Sequence, residues 1–175
     1  MSGLMAYSGQ LINLCAAVIL LLAIAMLAQR RVIHLIDLFA LQGFTLFLST
    51  LIMALKTGQT HLYYSAGLTL MLKTLLLPWI LHRLVRKLQV KSEVEALINI
   101  PTTMLVGIVL VVIAFNVALP ISNLSSSIAR GMLGIALATV MLAFLMMITR
   151  RKAITQVVGF LAMENGLFFA ATSAT

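Results

Sequence analysis

The 175 residues are 62% hydrophobic and 9% charged, with a mean hydropathy of +1.14. Soluble domains carry about 25% charged residues, so a soluble fold is excluded and an integral membrane protein is implied. A net charge of +8 would point to nucleic acid in a soluble protein, but here most Lys and Arg cluster at the ends of apolar runs, where they set orientation. Nucleic acid is therefore discarded as a partner, and the lipid bilayer takes its place.

A helix that crosses a bilayer needs about 20 mostly apolar residues, and six such runs follow one another. The first, 8–28, lacks a preceding basic segment and a small-residue cleavage motif, so it reads as a retained span rather than a removed signal. It holds the lone cysteine, Cys15, which can form no internal disulfide and has no companion for a metal site. The second run is 32–55. The third is 61–84, where Pro78 predicts a kink. A polar stretch, 86–95, then interrupts the hydrophobicity. The fourth run, 100–119, is bracketed by Pro101, tolerated near a helix start, and by Pro120, expected to end it. The fifth and sixth are 128–149 and 153–175. The expected fold is an all-α, polytopic transmembrane helix bundle of about six helices.

Orientation follows from the basic residues in the connections. Arg30 and Arg31 follow the first run, Arg83, Arg86, Lys87 and Lys91 the third, and Arg150, Arg151 and Lys152 the fifth. These are nine of the 12 Lys and Arg, against Lys56 and Arg130 on the opposite side. The basic side is expected to be cytoplasmic, which puts the N-terminus outside.

The sequence stops at "FFAATSAT" with no polar tail, charged anchor or interfacial Trp or Tyr, so the natural chain is expected to continue. An approximate internal repeat points the same way. Segments 28–47 and 148–170 share an Arg-Arg turn, an apolar helix and then Gln42-Gly43 or Asn165-Gly166, the two gaps differing by three residues, about one helical turn. Helices one to three would then correspond to five, six and a missing seventh. Arg-Arg turns recurring because orientation demands them is the other explanation. The organisation expected is a first three-helix unit over 1–85, a cytoplasmic connection over 86–99, a fourth helix and external loop over 100–127, and a second, truncated unit over 128–175.

Two charges lie deep in apolar runs. A charge at the bilayer centre costs roughly 2.5–3.5 kcal/mol on the insertion scale, so such residues mark ion paths or essential pairs. Lys73 lies 12 residues past His61 and 10 before Arg83, roughly 15–18 Å from either end. Lysine there can exchange a proton, or it can form an interhelical ion pair or bind carbonyls freed near Pro78. Glu164 lies 12 residues past Lys152, roughly 18 Å deep, and acts either as a relay carboxyl or as interhelical glue. Asn165 and Gly166 beside it, and Gly159 two turns earlier, would let a backbone or a water chain approach. Asp37 is shallower, and His34 shares its face. Together they form a candidate cytoplasmic mouth, or simply a local pair. Asn116, Gln42, Thr69 and Thr74 could bond water or other helices, and His61 and His82, at helix ends, fit interfacial roles. No His and Cys cluster for haem or iron–sulfur ligation and no Gly-rich phosphate loop occurs, so redox chemistry is not expected in this chain.

The stretch "RRKAITQVVGFLAMENG", 150–166, and the "KTLLLP" of 73–78 resemble segments of the E subunit of hydrogenase-4, a membrane component of formate hydrogenlyase-type complexes related to respiratory complex I. The resemblance covers most of the chain in helix order, with these two stretches its specific part. The C-terminal region is also similar to the small K subunit of complex I, in which Arg-Arg, seven residues and Gly precede a membrane helix, a spacing that Arg150, Arg151 and Gly159 fit. The K subunit carries its glutamate two residues after that glycine, where this chain has Leu161. Glu164 comes three residues later on nearly the same face, so the K-subunit role passes to it by analogy. The resemblance implies a non-catalytic subunit of a group 4 [NiFe] hydrogenase complex in a bacterial or archaeal cell membrane. It would contain no cofactor itself, the nickel–iron and iron–sulfur centres belonging to soluble hydrogenase partners, and its membrane partners would be antiporter-like and quinone-site-like subunits. Glu164 and Lys73 would serve a proton or ion path, with Asp37 and His34 at its mouth. An autonomous small ion-coupled transporter and a purely structural adaptor are the other readings.

Overall fold

The links after the first, second and fifth apolar runs are too short to do more than turn the chain back, so the helices they join become antiparallel neighbours. The computed structural model describes residues 2–89, 93–122 and 127–173, with side chains over 7–89, 93–120 and 131–173. Lys91, and the side chain of Arg130, lie outside that description. The helices are α1 (Ser2–Ala28), α2 (Val32–Thr57), α3 (Thr60–Lys87), α4 (Ile100–Ser122), α5 (Ser127–Thr149) and α6 (Ala153–Ser173). All six are long and apolar enough to cross a membrane, which bears out the all-α, multi-pass bundle. Among the described residues there is no strand, only two isolated backbone bridges.

Between α2 and α3 the link is Gly58-Gln59. Gly58 adopts φ 67°, a left-handed conformation that glycine takes without penalty, and its N–H caps α2 by donating to the Ala54 carbonyl at 2.9 Å. Three-residue turns at 29–31 and 150–152 join α1 to α2 and α5 to α6.

The irregularity expected at Pro78 is marked by a wide turn just before it. Over Leu70–Leu76 the helix widens, so that the Leu77 N–H reaches back to the Leu72 carbonyl. Proline offers no N–H, and the wide turn lets the chain pass it without breaking. Pro120 does not stop α4 at 119 either, because the helix runs on to Ser122.

The centre of the bundle is built from α1, α2, α5 and α6. The most apolar window of each is 44% buried, against 28% for α3 and 22% for α4. α3 packs on α2, and α4 packs on α5 and α1. One apolar cluster, with Leu27, Ile36, Phe39, Leu142, Met146 and Val158, fills the half of the core nearer the basic links. A second, with Ile12, Ile19, Leu46, Met132, Ala136 and Phe169, fills the other half. Between them in sequence order on their helices lie Gln42, Thr139 and Asn165, all buried, so a polar layer divides the core at mid-span.

The connection from α3 to α4 lies across the two basic turns as a strap. The Val94 N–H donates to the Arg30 carbonyl at 2.7 Å, the Leu97 N–H to the Thr149 carbonyl at 2.8 Å, and the Arg151 N–H to the Glu95 carbonyl at 3.0 Å. Lys152 adds an ion pair to Glu95 at 3.6 Å and donates to the Glu93 carbonyl.

Candidate functional site

Gly43 decides where Lys73 can go. A Cβ there would meet the carbonyl carbon, carbonyl oxygen and Cβ of Lys73, all at 3.3 Å, so the missing side chain lets the wide turn of α3 settle directly on α2. From that position the Lys73 side chain reaches Glu164 on α6, with Nζ 3.1 Å from Oε1 and 5.2 Å from the centroid of the Phe168 ring. The two most improbable residues of the sequence are thus each other's partners. The contact is an ion pair rather than an aligned hydrogen bond, since Nζ is buried with no acceptor in bonding geometry.

The two ends of this pair see different surroundings. The Lys73 side chain is 10% exposed, whereas that of Glu164 is 51% exposed. Glu164 sits in an outward stripe of α6 with Val157, Phe160 and Leu167, at the spacing that places residues on one helix face. The burial that favours helix packing goes instead to its neighbours, Asn165 and Gly166, which face the core.

Asn165 donates from Nδ2 to Oε1 of Gln42 at 3.3 Å, and Gln42 donates from Nε2 to the Ile19 carbonyl at 3.4 Å. The two amides that the internal repeat places in matching positions therefore meet across α2 and α6. Asn165 Oδ1 and Thr74 Oγ1 are buried with no hydrogen-bond partner among the described residues. Thr69 bonds within its own helix, to the Ser65 carbonyl at 2.8 Å.

Gly159 and Gly166 serve helix contact. A Cβ on Gly159 would come within 2.8 Å of Met147, and one on Gly166 within 2.9 Å of Val140 and 3.2–3.3 Å of the α5 backbone. Asn116 is not brought to the site. It lies on an exposed face of α4 and bonds the Val112 carbonyl one turn back at 2.8 Å.

Toward the basic side, His34 Nδ1 lies 4.0 Å from Asp37 Oδ2, a loose pair, while His82 of α3 lies closer, with Nε2 3.3 Å from Asp37 Oδ1. His82 Nδ1 is 2.9 Å from the Pro78 carbonyl. His82 thus lies between Asp37 of α2 and the Pro78 carbonyl of its own helix. Sequence reasoning assigned His82 to the interface and missed its partner. The nine residues from Lys73 to His82 span roughly 13 Å of helix, so the two charged clusters are separate.

Arg150, one of the charges of its link, also makes a structural contact. It is fully buried, and its Nη2 donates to the Leu27 carbonyl at 2.6 Å, capping the end of α1. Burial pulls the guanidinium below its ordinary value, though arginine stays cationic at any pH at which the fold is studied. Among the described residues no group of three or more His, Cys, Asp and Glu could hold a metal ion.

No protein-family model matches the chain. It is 29% identical, over 158 residues, to the uncharacterized protein Rv0085 of Mycobacterium tuberculosis, a match that covers 90% of this chain and 72% of that protein. No solved structure matches it.

Proposed function

We propose that this chain is a non-catalytic membrane subunit of a complex-I-like, group 4 [NiFe] hydrogenase assembly and contributes to the path that moves protons or other cations. The observation that carries this reading is the ion pair at mid-span whose carboxylate is half exposed on the outer surface of the bundle. A carboxylate at that depth is costly against acyl chains, so an adjoining subunit or a hydrated seam is its natural neighbour. A proton or other cation that reached Glu164 from the outer surface would meet a carboxylate already paired with a buried cation, the arrangement that marks ion paths at this depth. The residues present here do not suit a nickel–iron or iron–sulfur centre, so in this reading those centres belong to partner subunits.

The directness of the 3.1 Å contact also supports a second reading, in which the pair only fastens α3 to α6. Glu164→Gln separates the two, because the amide keeps an acceptor for Lys73 but cannot ionise. In membranes containing the assembled complex, the conduction reading expects at least a tenfold loss of substrate-driven ion movement with assembly retained. Unchanged ion movement would leave the chain a scaffold. Purification in mild detergent without hydrogenase-type subunits would remove the complex itself from the proposal.

A further inference from the structure

Where the strap crosses the first basic turn, it encloses a cavity of about 590 Å³ that opens to the surface, lined by Arg30, Arg31, Glu93, Asn99, Ile100 and Pro101 among others. Both arginines are exposed, and among the described residues neither has a carboxylate within 4.0 Å, even though Glu93 lines the same cavity. Two cations therefore face one carboxylate, and none of the three is neutralised by another. The start of α4 also lines the cavity, through Asn99, Ile100 and Pro101. Its first-turn N–H groups at Ile100 and Thr102 precede any intrahelical acceptor, and the positive end of the helix dipole points outward there.

The location narrows the ligand. α1 ends at Ala28, α2 begins at Val32 and α4 begins at Ile100, so the cavity lies at the level where membrane spans stop and lipid headgroups begin. Apolar residues line it beside the charged ones: Ile98 is part of its wall, and Ile98 and its neighbour Leu97 are exposed large hydrophobics. Directly below, α4 presents Leu105 and Ile108 outward, while Gly107 packs against Leu27 of α1. A ligand that fits is anionic at one end and apolar below it. Guanidinium forks match the oxygens of a phosphate, and basic pockets between membrane helices hold anionic headgroups by this chemistry.

We propose that this cavity binds the phosphate headgroup of an anionic phospholipid, with its acyl chains lying along the outer surface of α4. The proposal is independent of any partner subunit or ion path.

The test uses the full chain in mild detergent, titrated with dioleoyl phosphatidylglycerol or with dioleoyl phosphatidylcholine. Native mass spectrometry counts retained lipids, and thermal unfolding reports stability. Phosphatidylglycerol is expected to bind at least tenfold more tightly than phosphatidylcholine and to raise the unfolding midpoint. Arg30→Gln/Arg31→Gln should abolish that preference, Arg30→Lys/Arg31→Lys should retain part of it, and Arg86→Gln/Lys87→Gln, at the far end of α3, should leave it intact. Unfolding of the lipid-free variants shows whether each one folds. Equal loss in the Arg86/Lys87 variant would reduce the effect to general surface charge and overturn the site. Millimolar inorganic phosphate that competes fully would assign the cavity to a free anion, and no lipid preference in the wild-type chain would end the proposal outright.

Discussion

Lys73 is buried and Glu164 is half exposed, so removing either one leaves a different problem behind. Glu164→Leu strands an ammonium in the interior with little but the Phe168 ring beside it. The expected cost is about 2 kcal/mol, below the roughly 3–5 kcal/mol typical of a fully buried pair because half of the carboxylate faces outward. Lys73→Met preserves the packed volume and leaves a carboxyl that can neutralise itself with a proton, so about 1 kcal/mol is expected. The double variant should return close to the parent, since replacing both charges with apolar groups is often neutral. Denaturant unfolding of the four proteins in micelles measures the coupling, and strictly additive losses would mean that the contact contributes nothing. Both residues are legible in the sequence because each interrupts an apolar run. Their pairing is not, because the wide turn of α3 alters the direction in which Lys73 points, at about 100° per residue, and no local pattern reveals that turn. The same missing register hides the contact of His82 with Asp37. Arg150 is hidden for another reason: an Arg-Arg turn reads as two solvated charges, and only packing shows that one is buried while Arg151 is exposed.

The helices differ in how firmly they are held. α2 is buried along a face that runs from Val32 to Ala54, whereas α3 packs on α2, reaches α6 through the Lys73 side chain, and contains the irregular stretch Leu70–Leu76. Within that stretch the Leu77 N–H goes to Leu72 rather than Lys73, and Pro78 has none to give, so the Lys73 carbonyl loses its α-helical donor. Local opening is easiest where buried contacts are few and backbone bonds are imperfect. Hydrogen exchange in detergent should therefore find the amides of 73–77 exchanging at least tenfold faster than those of 42–46 on α2. Equal protection would mean that the wide turn is as rigid as a regular helix. The sequence marks an irregularity here, since a proline inside an apolar run demands one. It does not say which kind, because no local pattern tells a wide turn from any other way of passing a proline.

Across the whole molecule, the links that carry Arg30, Arg31, Arg150, Arg151 and Lys152 lie side by side, tied together by the strap. Six antiparallel helices place those turns and the end of α3 on one side and the α2–α3 link on the other. The number of spans and this charge asymmetry could be read directly from composition, because a bilayer leaves helices as the only economical way to bond the backbone of an apolar chain. The face-to-face meeting of the α1–α2 and α5–α6 hairpins at Gln42 and Asn165 could not, since nothing local specifies which polar residue in one span finds which in another. Sidedness is open to direct measurement. Cys15 is buried, so Cys15→Ala gives a background without competing thiols, in which Gln59→Cys and Gln89→Cys probe opposite ends of α3. Excess Lys and Arg are retained in the cytoplasm. A membrane-impermeant maleimide should therefore label position 59 in intact cells and position 89 only after permeabilisation, while labelling at 89 in intact cells would invert the topology and put both the strap and the Arg30–Arg31 cavity on the outer leaflet.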